Sequence, residues 1–326
     1  MGARVGALLL AQLLVRMQVA RQGELGRGLP APPGPMGAGP CGQRSIQSRV
    51  VGGKDSELGR WPWQGSLLWN KAHVCGASLL SRRWVLSAAH CFRRNSDPSE
   101  WTVQFGELTS APSFWNLRAS RRRYGVRSII LHSRPLKLSQ GDIALVKLSS
   151  SVTYSKHIRP VCVLASSSEF QNRTDCWVAG WGHPSSLPTA LPAPYTLQEV
   201  QVSIINQSRC SFLFRQPVSH SPARAAAICA GSEDGSRDTC RGDSGGPLVC
   251  EKSGLWIQIG VVSWGVGCGR PNRPGVYTNV STHFSWIQKL VAHSTPRPDA
   301  SRLLLSCLAL LWAPPLLPLA CAHLSR

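Results

Sequence analysis

The segment Gly242-Asp-Ser244-Gly-Gly-Pro247 is the most informative stretch in this chain of 326 residues. Its glycines allow the backbone to bend sharply and to present N–H groups around one serine. A serine hydroxyl is a poor nucleophile near neutral pH unless a base lies within hydrogen-bond reach and an acid orients that base. The segment therefore predicts a nucleophile, Ser244, on a glycine-rich turn, and it directs attention to histidines and aspartates elsewhere.

A histidine and an aspartate of the required kind stand at the ends of two apolar runs. Leu86-Ser-Ala-Ala-His90-Cys91 places His90 at the end of one run, and Asp142-Ile-Ala-Leu-Val146 places Asp142 at the start of another. Alone, His90 could be a core or surface histidine, and Asp142 could be a turn residue. Together with Ser244, in the order His, Asp, Ser, they predict a nucleophile, its base and the acid that orients the base.

The chain from Val50 onward is predicted to be mostly β-strand. Short β-type runs are separated by turn residues; examples are Val85-Leu86-Ser87-Ala88, Ile143-Ala144-Leu145-Val146, Cys176-Trp177-Val178-Ala179 and Ile257-Gln258-Ile259-Gly260-Val261-Val262. These runs do not alternate with helices, so the pattern favours antiparallel barrels or a sandwich over parallel βαβ units. Apolar residues at helical spacing predict one C-terminal helix, with Ser281 or Thr282 as its cap: Phe284, Ile287, Leu290 and Val291.

The composition favours a secreted, disulfide-linked protein. Twelve cysteines without a CxxC pair indicate an oxidising compartment and give no support to a zinc ribbon. The formal net charge of +20, from 36 Lys and Arg against 16 Asp and Glu, favours acidic partners such as sulfated glycans, anionic lipid or acidic proteins. No nucleic-acid-binding motif accompanies the charge. Three glycosylation sequons, at Asn172, Asn206 and Asn279, agree with secretion.

The N-terminus has the composition of a signal peptide followed by a pro-segment. Met1 to Arg4 precede an apolar stretch from Val5 to Val15, and Ala20 is a candidate cleavage point. Residues 21–49 are rich in Gly, Pro, Arg and Gln and show no strand or helix periodicity. We therefore expect a signal peptide over residues 1–20 and a pro-segment over residues 21–49.

The C-terminus predicts attachment to a membrane. Residues 293–302 form a polar spacer, and Leu303 to Ala320 is almost wholly apolar. These 18 residues are few for a spanning helix, and three prolines interrupt them. A polar spacer before an apolar tail is typical of a glycosylphosphatidylinositol attachment signal. The favoured interpretation of residues 303–326 is such a signal on a cell-surface protein; a transmembrane tail and a buried or discarded tail are the alternatives.

Residues 50–292 resemble the chymotrypsin-like serine proteases. The matched motifs are AAHC at 88–91, DIAL at 142–145, GDSGGP at 242–247, SWG at 263–265 and PGVYT at 274–278. The resemblance implies an all-β fold of two six-stranded antiparallel barrels, with the active site in the cleft between them. It implies that His90 and Asp142 come from the first barrel and Ser244 from the second. It also implies an oxyanion hole formed by the backbone N–H groups of Gly242 and Ser244.

The same resemblance implies cleavage of proteins or peptides after Arg or Lys. Asp238 matches the carboxylate at the base of the family's primary pocket, where a substrate cation would pair with it. Ser263, Gly265 and Gly275 match other substrate-binding positions, and the two glycines leave room for a long basic side chain. Two neighbours of Asp238 depart from the family's usual residues. Thr239 could narrow the pocket floor, and Arg241 predicts a preference for acidic residues just after the cut bond.

Activation by cleavage is also implied by resemblance. Ser48-Arg49-Val50-Val51-Gly52-Gly53 resembles the family's zymogen cleavage site. Cutting after Arg49 would free the amino group of Val50, which would pair with Asp243 and order the oxyanion hole and the pocket. The activator would be another Arg-specific protease or the protein itself. Serine protease inhibitors are further expected partners.

Ten of the cysteines match the family's disulfide positions. The implied pairs are Cys41–Cys162, Cys75–Cys91, Cys176–Cys250, Cys210–Cys229 and Cys240–Cys268. The first pair would tether the pro-segment after cleavage and leave a two-chain enzyme. The remaining residues, Cys307 and Cys321, lie in the tail, which supports treating the tail as separate.

A run of arginines lies between His90 and Asp142 in the sequence: Arg118, Arg121, Arg122, Arg123 and Arg127. It could dock anionic glycans or an acidic substrate, or it could be a solvated loop. The sequence leaves these two interpretations open.

Two other functions fit parts of the sequence. A catalytically silent homologue, acting as an adhesion or binding module, would usually lack a triad residue or the N-terminal switch, and this chain has both. An intracellular nucleic-acid-binding protein would account for the charge but conflicts with the cysteines and the signal segment. The prediction is therefore a cell-surface endopeptidase that needs no cofactor and has no metal site.

Overall fold

The computed structural model describes residues 41–46, 54–113, 115–132, 141–182, 196–215, 227–240 and 242–292. The predicted signal peptide, the pro-segment up to residue 40, the spacer and the tail lie outside these residues. The cleavage site at Arg49 and Val50 and the cleft residue Arg241 also lie outside them.

Thirteen strands are described, in two groups. They are β1 (Lys54–Asp55), β2 (Gln64–Trp69), β3 (Ala72–Ser81), β4 (Trp84–Ser87), β5 (Trp101–Phe105), β6 (Arg123–Leu131), β7 (Ala144–Leu148), β8 (Cys176–Gly180), β9 (Gln198–Ile205), β10 (Ala227–Gly231), β11 (Pro247–Lys252), β12 (Leu255–Trp264) and β13 (Gly275–Asn279). The first group, β2 to β7, forms one sheet, and β1 joins β8 to β13 in the other. All of the pairings between strands are antiparallel. The predicted β-runs at residues 85, 143, 176 and 257 correspond to β4, β7, β8 and β12.

Each group closes into a six-stranded barrel. The first has the order β2-β3-β4-β7-β6-β5, with β5 pairing back to β2. The second has the order β9-β10-β13-β12-β11-β8, with β8 pairing back to β9 and β1 added at β9. The interior positions are fully buried, among them Val85, Leu145 and Val103 in the first barrel and Val202 and Leu248 in the second. The predicted pair of antiparallel barrels is confirmed.

The described helices are few and short. They are α1 (Leu117–Ser120), α2 (Gln207–Phe214) and α3 (Phe284–Ala292). The last is the predicted C-terminal helix, and its Ile287 is fully buried in the core that contains the first barrel's interior. No helix among the described residues has the length and apolar composition needed to cross a membrane.

The predicted cap of the C-terminal helix is wrong. Ser281–His283 form a 3₁₀ turn that leads directly into α3. The side-chain oxygen of Asn279 accepts the N–H of Ser281, while the Thr282 hydroxyl donates to the carbonyl of Asn279. The chain is therefore already turned by Asn279, at the end of β13, before the helix begins.

Five disulfides join the same cysteines that the family resemblance pairs. Cys41–Cys162 holds residues 41–46 of the pro-segment against the second barrel. Gly42 donates to the carbonyl of Pro160 and accepts from the N–H of Trp256, and the guanidinium of Arg44 lies 4.2 Å from the centre of the Trp256 ring. This part of the pro-segment is therefore packed as well as covalently tethered.

Candidate active site

His90 and Asp142 are brought together by the pairing of β4 with β7. His90 lies in the 3₁₀ turn Ala89–Phe92 that follows β4, Asp142 lies just before β7, and Ser87 pairs with Ala144 in the sheet. The backbone N–H of His90 donates to Asp142 Oδ1 at 2.8 Å, and the ring nitrogen Nδ1 lies 2.6 Å from Oδ2. An ionised carboxylate only accepts, so Nδ1 carries the proton and Nε2 is left as an acceptor when the ring is neutral.

The second barrel completes the surroundings of Asp142. The Ser263 hydroxyl donates to Oδ2 at 2.6 Å, and the Thr278 hydroxyl donates to the backbone carbonyl of Asp142 at 2.9 Å. Burial by itself would raise the pKa of Asp142, but the hydrogen bonds and charge of His90, together with Ser263, lower it below its usual value. The carboxylate is therefore ionised at neutral pH although only 4 % of it is exposed.

Ser244 lies on a turn that is hydrogen-bonded to both barrels, because Gly245 donates its N–H to the carbonyl of Val262 on β12. Gly76, on β3, donates its N–H to the carbonyl of Ser244 at 2.8 Å. Gly245 has a positive φ of 82°, and a Cβ there would collide with the Ser87 hydroxyl, so the turn requires glycine at this position. Cys91, the residue after His90, has its Sγ 4.0 Å from the carbonyl oxygen of Ser244, so the two turns lie next to each other. Within the described residues no hydrogen bond joins the Ser244 hydroxyl to the imidazole of His90.

The residues just before Ser244 are held by their neighbours from both sides. Gly242 has a φ of 104°, and its carbonyl accepts a hydrogen bond from His73 Nε2 at 3.0 Å. The carboxylate of Asp243 accepts the N–H of Gly182 at 2.7 Å and the N–H of Cys240 at 2.9 Å. These bonds fix the direction of the peptide groups that precede the serine.

Two residues that support this turn, His73 and Ser66, were not predicted from the sequence. A carbonyl only accepts, so His73 Nε2 must carry its proton, and Nδ1 must accept from the Ser66 hydroxyl 2.8 Å away. Burial lowers the pKa of His73, which keeps its ring neutral in this role. The only signal in the sequence was the position of His73 two residues before Cys75, the disulfide partner of the cysteine that follows His90.

Asp238 lines one side of a cavity of about 330 Å³ in the second barrel, and Gly182, Gln198 and Asp243 line other parts of it; Ser263, Gly265 and Gly275 lie outside that lining. Its Oδ1 accepts the N–H of Thr239 at 2.8 Å, and its Oδ2 accepts the N–H of Gly269 at 3.0 Å. Burial raises the pKa of Asp238 to about 6, and the nearby charge of Asp243 adds to that effect. At neutral pH the carboxylate is therefore mostly ionised. Burying that charge costs desolvation free energy, which pairing with a bound cation would offset.

The glycines near Asp238 keep space open. A Cβ on Gly275 would lie 3.1 Å from Asp238 Oδ1, 3.1 Å from Thr239 Oγ1 and 3.2 Å from the Tyr277 hydroxyl. A Cβ on Gly265 would meet a single backbone oxygen at 3.4 Å. The side chain of Ser263 donates to Asp142; that Ser263 is also a substrate-binding position stays a prediction.

One cluster of His, Cys, Asp or Glu in the described residues has the spacing of a metal site: Cys75, His90 and Cys91. Its two cysteines form a disulfide. A disulfide sulfur offers no thiolate, so the cluster does not fit a metal ion.

The three sequon asparagines differ in exposure. Asn172 and Asn206 are exposed, and Asn206 caps α2 by accepting the N–H of Arg209. Asn279 is half-buried, with its side-chain oxygen bonded to Ser281.

Comparison with known proteins places this geometry in context. The model of the trypsin family matches residues 50–287. The chain is 58 % identical over 321 residues to "Serine protease 41" of Homo sapiens, covering 96 % of this chain and 100 % of that protein. It is 60 % identical over 322 residues to "Testisin" of Homo sapiens, covering 97 % of this chain and 99 % of that protein.

Proposed function

This chain belongs to the trypsin family of chymotrypsin-like serine proteases, and from that premise we propose that it is an endopeptidase that cleaves proteins after Arg or Lys. The observation that carries the specificity is Asp238, a carboxylate whose pKa is raised by burial and whose Oδ1 would lie 3.1 Å from a Cβ placed on Gly275. Among the described residues no basic side chain forms an ion pair with Asp238. A substrate guanidinium or ammonium group supplies the missing countercharge.

The catalytic cycle follows from the placement of His90, Asp142 and Ser244. Nε2 of His90 takes the proton from the Ser244 hydroxyl as its oxygen bonds to the substrate carbonyl carbon. The N–H groups of Gly242 and Ser244 stabilise the oxyanion. His90 then passes the proton to the leaving amine, and water hydrolyses the acyl-enzyme by the same steps in reverse order. Asp142 keeps the proton of neutral His90 on Nδ1 and stabilises the imidazolium.

The test is hydrolysis of short amide substrates by the full-length chain from a secretory host. The chain is cut after Arg49 with an immobilised Arg-specific protease, and the uncut chain is the control. We expect turnover of Arg- and Lys-ending substrates only after the cut, and little turnover of substrates that end in Leu. Equal rates on Leu- and Arg-ending substrates, from a chain with a verified Val50 N-terminus, would contradict the proposed specificity.

The affinity for an aromatic amidine, a cation that mimics the Arg side chain, should fall in acid. Because the cation binds the ionised form of Asp238, whose pKa is raised to about 6, the apparent affinity scales with the ionised fraction. We expect binding about tenfold weaker at pH 5 than at pH 8. Calorimetry measures this binding without catalysis, and an affinity that stays constant over this range would argue against Asp238 as the partner.

The raised pKa of Asp238 makes folding stability depend on pH in the opposite direction from cation binding. Asp238 holds its proton more tightly in the folded chain, so its contribution to stability is full below the unfolded pKa near 4 and is lost as pH rises through about 6. Cation binding and folding stability therefore respond to the ionisation of Asp238 in opposite directions.

Gly275→Ala should reduce kcat/KM for Arg-ending substrates by about tenfold to a hundredfold. The added methyl would sit 3.1 Å from Asp238 Oδ1, in the space that the substrate side chain needs. Gly254→Ala is the control, because a Cβ there meets nothing within 4 Å, although its positive φ adds backbone strain. Unchanged kcat/KM in Gly275→Ala would mean that the substrate side chain enters elsewhere.

The proposed setting is the cell surface, after activation within the secretory pathway. The five disulfides agree with an oxidising compartment, and Cys41–Cys162 would keep the cut pro-segment attached. In this proposal Val50 pairs with Asp243, the three sequons carry glycans and residues 303–326 are exchanged for a lipid anchor. Release of activity from intact cells by a phosphatidylinositol-specific phospholipase tests the anchor, and retention after that treatment would favour a transmembrane tail.

A further inference from the structure

The arginine run noted in the sequence is divided by the structure into two kinds of side chain. Arg122 donates to the carbonyl of Gly106 and pairs with Glu107, and Arg123 donates to the side chain of Gln104 and to the carbonyl of Pro112. These two arginines hold the loop in place. The remaining three are exposed: Arg118, Arg121 and Arg127.

Large apolar side chains are exposed beside these arginines. Trp115 is 93 % exposed and Leu117 is 75 % exposed, more than any other large apolar side chain in the described residues. They flank the start of α1, where the side chain of Asn116 accepts the N–H of Ala119. Trp and Arg are the residue types that most often dominate binding energy at protein interfaces.

A second loop adds positive charge to this region. Lys156 is exposed, and His157 packs over Gly59, where a Cβ would lie 2.6 Å from the ring. Burial lowers the pKa of His157, and the positive charges of Arg122, Lys156 and Arg118 lower it further. The second loop also lies against the arginine loop, because a Cβ on Gly106 would lie 2.9 Å from Ile158 and 3.3 Å from Arg122 Nη1. We call Trp115, Leu117, Arg118, Arg121 and Lys156 the basic–aromatic patch.

The loop that carries the patch is firmly attached to the second barrel. The carbonyl of Leu108 accepts a hydrogen bond from Trp181 Nε1 at 2.8 Å, and the Trp181 ring contacts that of His73. Trp181 precedes Gly182, which binds Asp243. The loop that carries the patch is thus bonded through Trp181 to residues that contact the turn of Ser244.

We propose that the basic–aromatic patch docks an acidic segment with apolar residues from a protein substrate, outside the cleft that cuts it. The inference rests on the proposed function. Residues 115–132 contain no Asp or Glu, so carboxylates on the substrate would complement the patch. A sulfated glycan would use the positive charges but not Trp115 and Leu117, whereas an acidic segment with Phe or Leu residues would use both.

The test is the affinity of the full-length cut chain for a fluorescein-labelled peptide of alternating Glu, Phe and Leu, without Lys or Arg. Fluorescence anisotropy compares two patch variants, Arg118→Gln with Arg121→Gln, and Trp115→Ala. The matched controls remove equal charge or another exposed aromatic side chain elsewhere: Arg215→Gln with Lys289→Gln, and Phe212→Ala. We expect about tenfold weaker binding in each patch variant and no change in the controls. Hydrolysis of a short Arg-ending substrate should stay unchanged in all four variants.

Three results would overturn the proposal. The first is equal peptide affinity in patch variants and controls. The second concerns retention on a heparin column. If replacing the arginines abolishes that retention while Trp115→Ala affects neither heparin nor peptide binding, the patch is a glycan site. The third is binding to phosphatidylserine vesicles but not to the peptide, which would indicate a membrane-contacting surface. If the wild type fails to hydrolyse the short substrate yet binds the peptide through the patch, the proposed function fails and the docking surface stands.

Discussion

Asp142→Asn should lower kcat about 10⁴-fold, the general magnitude for this replacement in a Ser-His-Asp triad. The structure supplies the reason atom by atom. Asp142 Oδ1 accepts the backbone N–H of His90, so the carbonyl oxygen of an asparagine would take that position. Its amide group would then occupy the position of Oδ2 and point N–H donors at His90 Nδ1, 2.6 Å away in the native protein.

An amide donor at that position reverses the tautomer of the base. His90 Nδ1 would have to accept, so the ring proton would move to Nε2, and Nε2 could no longer take the proton of Ser244. Substrate binding does not depend on this proton, so KM should change far less than kcat. Raising the pH should restore part of the rate as hydroxide assists deprotonation of the serine.

The measurement is single-turnover acylation of an Arg-ending substrate by the cut chain, with Ser263→Ala as the matched control. Ser263 donates to the same Oδ2 but leaves the carboxylate in place, so its removal should cost only about tenfold. A loss in Asp142→Asn no larger than that in Ser263→Ala would show that the carboxylate is not what orients His90.

The pairing of His90 with Asp142 and the turn at Ser244 could be predicted from the sequence because these residues lie in local patterns. His90 ends one apolar run and Asp142 begins another, and antiparallel pairing of β4 with β7 is the only further step needed to join them. The glycine-rich turn around Ser244 is local in the same sense, since the left-handed φ at Gly242 and Gly245 requires the residue type found there.

The supports of the site could not be predicted because they join distant parts of the chain. Ser263 reaches Asp142 across 121 residues, and His73 reaches Gly242 across 169 residues. No local pattern encodes such a contact. The arginine run shows the same limit, because only tertiary contacts with Glu107 and Gln104 separate the arginines that hold the loop from those that face solvent.

Asp238→Asn should lower kcat/KM for Arg-ending substrates by about 10²- to 10³-fold, which is the range for leaving a buried charge without its partner. The native carboxylate accepts two N–H groups, from Thr239 and Gly269, and still carries a negative charge beside Gly275. An asparagine keeps the size but loses the charge, and one of its ends must point a donor at an N–H group. A substrate guanidinium would reach the asparagine without a countercharge.

The same substitution should leave short substrates that end in Leu unchanged or improved, because an apolar side chain never used the charge. The ratio of kcat/KM for Arg-ending over Leu-ending substrates is therefore the decisive quantity, since a general loss of folding would lower both values together. Asp234→Asn is the control: Asp234 is exposed on the same loop and binds Ser236 rather than lining the cavity. If Asp238→Asn keeps the native ratio, the specificity for basic residues must come from another carboxylate; if it lowers the ratio and also abolishes the pH dependence of amidine binding, then one ionisable group accounts for both effects.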